Sequence, residues 1–285
     1  GQVWPHNLQE KLLGDVLVAT AVMAAVAPFL SVIDKALVQY SVGSHSLKES
    51  VTQSVTAMVR QPVQYFKSPG FLWMWGTYAS TYTAANVLRT ITEHQEHLGT
   101  TSASRTTASI HKNQNKKSQS PAPAPAVFVT SAMTVFLGTT AVNTSASLLK
   151  DRAYAKLFGN PAQLKMSVPA ASYAFWLLRD FTTIGSSFIL PTHVAGFLQQ
   201  HCSSSLSAGD AQQVAQLVTP VAAQLVAGPL HYVGLDCYNR PLSAAGGFRT
   251  VASQLSERAR FLYRGVGTVV GARMARILPG YGIGG

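Results

Sequence analysis

Charge is what this sequence has least of. Asp, Glu, Lys and Arg make up 12% of its 285 residues, about half the share usual in a soluble globular chain. Acidic residues are scarcest, 11 against 22 Lys and Arg, which leaves a net charge of +11. Cysteine is nearly missing. Cys202 and Cys237 form no metal-ligand spacing and imply no structural disulfide. The opening "GQVWPHNLQEKLLGD" lacks a basic stretch running into an apolar core, so no cleavable signal is expected there.

Further absences exclude classes of chemistry. The basic residues are scattered or lie between Arg105 and Lys117. No Lys/Arg-rich helix interleaved with aromatics is present, which argues against nucleic acid as a partner. His94 and His97 in "EHQEH" stand at i, i+3 on a helix, but further ligands are missing and no metal is expected. "GYGIGG" follows no strand, so it is not a phosphate loop. No Ser/His/Asp arrangement has a supporting context. Neither an enzyme nor a cofactor is expected.

What remains is apolar and small. The chain is 47% hydrophobic with a mean hydropathy of +0.16. Six low-charge segments stand out: Val16 to Ile33, Phe71 to Leu88, Ala126 to Leu149, Ser172 to Pro191, Ala211 to Leu235, and Gly265 to Gly285. Each approaches the about 20 residues that a helix needs to cross a bilayer. They are rich in Gly, Ala, Ser and Thr, which suits helices packed closely on one another in a membrane. A soluble bundle with buried core helices is the competing reading. Residues 99–125, "GTTSASRTTASIHKNQNKKSQSPAPAP", read as a solvated linker between the second and third segments.

The segments also repeat. The odd ones end in aspartates, Asp34, Asp151 and Asp236, which are 117 and 85 residues apart. The even ones place Arg179, in "LLRDFTTIG", 97 residues before Arg276, in "MARILPGYG". One further step back reaches Thr81 and Tyr82 in the second segment. A repeat of about 100 residues, each a helix pair, fits these spacings.

At these motifs the sequence resembles the mitochondrial carrier family. "FLYRGVGTVVGARMARILPGYGI" is similar to a carrier sixth helix with its entry, "FWLLRDFTTIGSSF" to a fourth helix, and "ASQLSERARFLYRG" to the matrix helix and turn before the sixth. The resemblance implies an all-α membrane protein with six transmembrane helices in three pseudo-symmetric repeats. These would be residues 1–98, 126–200 (shortened) and 201–285, with 99–125 as linker. It also implies the inner mitochondrial membrane as the location. The family's odd-helix pattern P-x-[DE]-x-x-[KR] is altered. Val32, Leu149 and Gly234 stand for the proline, and Leu37, Tyr154 and Asn239 for the basic residue.

The resemblance assigns roles to charges that are costly in an apolar segment. Asp34, Asp151 and Asp236, with Lys35, Arg152 and Arg240 nearby, would form ion pairs closing one end of a cavity. Helix-end charges at the membrane surface are the alternative. Arg179, Asp180, Arg276, Thr81 and Tyr82 would line the cavity and contact substrate. Two arginines would favour an anionic solute, since a guanidinium holds carboxylate or phosphate bidentately.

Two functions stay open. One is a solute carrier working by alternating access. The other is a non-transporting accessory subunit of a mitochondrial membrane complex, packing through Trp73, Trp75 and Tyr78. Expected partners are membrane lipids, cardiolipin included, and other subunits of such a complex.

Overall fold

A computed structural model describes residues 8–110, 125–188, 190–202, 207–241 and 247–283. Among the described residues every regular element is helical. The elements are α1 Leu8–Val42, α2 Leu47–Arg60, α3 Pro62–Phe66, α4 Pro69–Ile110, α5 Pro125–Phe158, α6 Ala170–Phe188, α7 Leu190–Cys202, α8 Ala208–Ala222, α9 Gln224–Asn239 and α10 Gly247–Ile283. A single 3-10 turn, Pro161–Gln163, lies between α5 and α6.

Local chemistry explains where these helices start and stop. α1 ends at Gly43, whose φ of +81° gives the left-handed cap that glycine adopts without strain. Its N–H donates to the Tyr40 carbonyl at 3.0 Å. α2 opens on a serine N-cap, with the Ser46 hydroxyl accepting from the Glu49 N–H at 3.2 Å. Pro62 ends α2, because the residue before a proline is pushed out of the helical region. Gln61 duly sits at φ −136°, ψ 60°. Pro62 and Pro161 then occupy first-turn positions, where a missing N–H costs nothing. At α8 the Ser207 hydroxyl accepts from the Asp210 N–H at 3.2 Å and donates to its carboxylate at 2.7 Å.

The chain divides into two compact units. The first comprises Gly1–Ala25 and Gly76–Ala146. Here α1 meets α4 through Asp15, which accepts from the Thr90 hydroxyl at 2.6 Å, and through Glu93, which pairs with Lys11 at 3.3 Å. α4 meets α5 where the Thr81 hydroxyl approaches Asn143 Oδ1 at 3.3 Å. Gly138 permits a close crossing, because a Cβ there would lie 2.5 Å from Leu88 Cδ1.

The second unit comprises Val26–Trp75 and Ser147–Gly285. Its helices also approach at small residues. A Cβ on Gly234 of α9 would lie 2.5 Å from Trp176 Nε1 of α6, and one on Gly228 would lie 2.9 Å from Val270 Cγ2 of α10. Leu37, Tyr232 and Val269 form an apolar core there, packed against Ile33, Tyr40, Leu47 and Phe261. Pro28 within α1 has its carbonyl within reach of the Ser31 hydroxyl, 2.9 Å, and the Tyr65 hydroxyl, 3.1 Å, which ties α3 to α1.

Polarity in this unit is inverted relative to a water-soluble bundle. Asp34, Lys150, Asp151, Arg179, Asp180, Asp236 and Arg273 are buried, whereas Phe29, Phe181, Phe197 and Leu225 are each more than half exposed. In water both halves of that pattern are unfavourable. In a bilayer the apolar side chains meet lipid and the charges turn inward. α1 is long and apolar enough to cross a membrane by itself, and α6 with α7 passes the same test as a pair bent by 42°. This is a membrane protein.

Two expectations change. The six spans in three repeats are not reproduced. Among the described residues one helix passes as a span on its own. The division into two compact units runs through α1, α4 and α5. Part of the expected linker, residues 99–110, is the end of α4, a stretch with no proline to stop it; residues 111–124 lie outside the described residues.

Candidate functional site

The buried charges of the second unit form one network contributed by five helices. α5 supplies its centre. Lys150 Nζ donates to Asp34 Oδ2 of α1 at 2.6 Å and contacts Asp151 Oδ1 at 2.9 Å. Asp151 Oδ2 meets Arg179 Nη1 of α6 at 2.5 Å. Arg179 also donates from both Nε and Nη2 to the single oxygen Oδ1 of its neighbour Asp180, at 3.0 and 2.6 Å. On α9, His231 Nδ1 lies 2.7 Å from Arg179 Nη1. A guanidinium can only donate, so Nδ1 is the acceptor and the ring proton is assigned to Nε2. From α10, Arg276 Nε reaches Asp34 Oδ1 at 3.0 Å.

Arg273 completes the group. It stands one helical turn before Arg276, on the same face of α10. It is buried, and its Nε donates to Gln224 Oε1 of α9 at 2.9 Å. Among the described residues no carboxylate lies within ion-pair distance of it. The network thus holds four cations, Lys150, Arg179, Arg273 and Arg276, against three carboxylates, Asp34, Asp151 and Asp180. A lone buried cation is expensive, and proteins rarely keep one without a partner. The opposite sign is also left open, since Asp180 Oδ2 is buried with no hydrogen-bond partner. The network thus leaves one guanidinium without a carboxylate and one carboxylate oxygen without a donor.

A second cluster is self-contained. Asp236 of α9, fully buried, meets Arg240 Nε at 3.0 Å and Arg258 Nε at 2.6 Å. The Arg258 guanidinium also donates to the Arg240 carbonyl. Asn239 donates to the Ser41 hydroxyl of α1 at 2.8 Å, and its side-chain and backbone carbonyl oxygens accept from the backbone N–H and side-chain amide of Asn160, each at 3.0 Å. These contacts fasten the end of α1, the 3-10 turn, the end of α9 and α10 together.

The residues singled out from sequence are distributed as follows. Asp34, Asp151, Arg179, Asp180 and Arg276 come together in the main network. Asp236 and Arg240 pair with each other in the second cluster. Lys35 lies instead over the Phe158 ring, 5.5 Å from its centroid, and Arg152 is exposed. Thr81 and Tyr82 belong to the first unit, where the Thr81 hydroxyl bonds the Thr77 carbonyl at 2.8 Å and approaches Asn143.

Sequence reasoning passed over Lys150, Gln224, His231, Arg258 and Arg273. Lys150 and Arg273 carried a signal, a basic residue within an apolar segment or at its end. Which aspartate each helix turns toward was not readable.

A family model described as "Probable citrulline exporter" matches residues 18–115 and 100–285. The two matched stretches overlap over residues 100–115. No curated protein and no solved structure matches the chain. The family match overturns the resemblance to mitochondrial carriers, for which no model matches. The inner mitochondrial membrane had no support beyond that resemblance. Because the matched stretches run from residue 18 to residue 285, the chain belongs to the probable citrulline exporter family.

Proposed function

We propose that this protein moves a zwitterionic amino acid of the citrulline type across a membrane, with the buried network of the second unit as its substrate site. The observation that carries the reading is the mismatch within the network, with Arg273 lacking a carboxylate and Asp180 Oδ2 lacking a donor. Citrulline brings a carboxylate, an ammonium and an uncharged ureido group. Its carboxylate suits Arg273 and its ammonium suits Asp180. A fully anionic solute would leave the Asp180 oxygen unmatched, so the anionic substrate expected from the arginines alone gives way to a zwitterion.

The surrounding pairs supply the switch. Lys150 bridges Asp34 and Asp151, and Arg179 bridges Asp151 and Asp180. Desolvation largely cancels the attraction within buried pairs, so partner exchange costs less than the bare Coulomb energy suggests. A substrate whose two charged ends replace protein partners offsets that cost as one side opens.

The accessory-subunit reading has one observation in its favour, that Asp34, Asp151 and Asp180 already have basic partners within the protein. Ligand-induced stabilisation separates the two. L-citrulline should raise the melting temperature of the purified full chain, as any ligand of the native state does, and Arg273→Gln should remove the shift. The same shift in wild type and Arg273→Gln would dismiss Arg273 as a substrate group.

A further inference from the structure

A second polar site lies at the other end of Lys35. A cavity of about 250 Å³ opens between α1, α2, α3, the first turn of α4 and the last turn of α5, all within the second unit. Four aromatic side chains, Tyr65, Phe71, Tyr154 and Phe158, line it beside polar and small residues. Two of the polar groups on the wall are Lys35 and Ser54. Lys35 has no carboxylate within ion-pair distance among the described residues, and its ammonium rests 5.5 Å from the Phe158 ring centroid. Ser54 is 1% exposed, and its hydroxyl has no hydrogen-bond partner. Tyr65 also lines the cavity, but its hydroxyl is engaged with Ser31 at 2.6 Å and the Pro28 carbonyl.

An ammonium and an unused hydroxyl lining one cavity, with the Phe158 ring against the ammonium, call for an oxyanion attached to an apolar body. The oxyanion would take the charge-assisted bond from Lys35 and a second bond from Ser54. The volume is below that of a pocket enclosing a whole drug-sized ligand. It admits a headgroup and the start of a chain, and the rest can run out over Leu157, which lines the cavity and is 46% exposed. Citrulline does not suit this place, because it has no apolar body and no cavity carboxylate would receive its ammonium.

We propose that this cavity binds an oxyanion-headed amphiphile, a phosphate ester or carboxylate carrying an aliphatic chain, with the head on Lys35 and Ser54. Occupancy would be felt by the charge network through Tyr154. That side chain lines the cavity, its hydroxyl donates to the Gly70 carbonyl at 2.8 Å, and its ring lies 5.5 Å from Lys150 Nζ. The chain's net charge of +11 would draw such amphiphiles from an anionic lipid surface.

The test uses the purified full chain in an uncharged detergent and three probes: dioctanoyl phosphatidylglycerol, dioctanoyl phosphatidylcholine and inorganic phosphate. The phosphatidylglycerol should bind about tenfold or more tightly than the phosphatidylcholine, which has the same chains. Lys35→Gln should erase that preference and Lys35→Arg should keep it. Ser54→Ala should weaken the anionic probe severalfold and leave the zwitterionic one unchanged. Displacement by inorganic phosphate alone, lost in Lys35→Gln, would identify a free oxyanion as the natural ligand; no displacement would identify the lipid. Equal binding of the two lipids to wild type overturns the proposal without any variant, and so does an unchanged preference in Lys35→Gln.

Discussion

Arg273 separates function from stability more cleanly than any other residue in the network. Its guanidinium is buried with a glutamine carbonyl oxygen as partner instead of a carboxylate, so it is a cost to the folded state unless substrate meets it. Arg273→Met should therefore melt no lower than wild type, and higher if the methionine packs well, since apolar replacements of buried charges are often neutral or stabilising. The same variant should lose about 10- to 100-fold in citrulline affinity, the value of a charge-assisted hydrogen bond. Asp34 is the opposite case. It holds Lys150 at 2.6 Å and Arg276 at 3.0 Å, and Asp34→Asn would leave two buried cations with one carboxylate fewer. Thermal or denaturant unfolding should show a loss of about 3–5 kcal/mol; a loss below about 1 kcal/mol would mean that the pairs are not desolvated as the structure places them. Asp34, Asp151, Arg179, Asp180 and Arg276 were legible in the sequence, because a charge in an apolar segment needs a reason. Their partners were not, because pairing depends on how each helix is rotated about its axis, and Lys35 turns away from the aspartate beside it.

Among the elements, the α6–α9 contact is set by one missing side chain. Gly234 faces the buried Trp176 ring so closely that an added Cβ would lie 2.5 Å from Nε1 and 2.6 Å from Cδ1. Gly234→Ala should cost about 1–3 kcal/mol as the helices are forced apart. Gly267 in α10 has nothing within 4 Å of its would-be Cβ, so Gly267→Ala should stabilise by up to about 1 kcal/mol through helix propensity alone. Melting both variants side by side checks the packing; equal shifts would contradict it. The apolar segments were readable as helices from length and composition. Their breaks were less so. The segment from Ser172 to Pro191 is two helices bent by 42°, with Pro191 in the first turn of the second. Another break falls in the fifth segment, between Ala222 and Gln224, three residues past Pro220. Proline marks both places, yet Pro28 and Pro229 lie within continuous helices. Tertiary contacts decide between a kink and a break, as the hydroxyls on the Pro28 carbonyl illustrate.

At the scale of the whole molecule, buried charge with exposed phenylalanine and leucine is what a bilayer demands and water penalises. Composition alone announced the membrane. It did not announce the family, because repeated aspartates and arginines at regular spacing are a physical solution open to any polytopic protein that must hide charge. The claim that joins the scales is that this network binds and moves a zwitterionic amino acid. Flux through the purified full chain in liposomes, followed with radiolabelled L-citrulline, tests it most directly. The account predicts saturable efflux from loaded vesicles, lost in Arg273→Gln although that protein melts no lower than wild type. Efflux no faster than from protein-free vesicles, or an Arg273→Gln protein that transports like wild type, would contradict it.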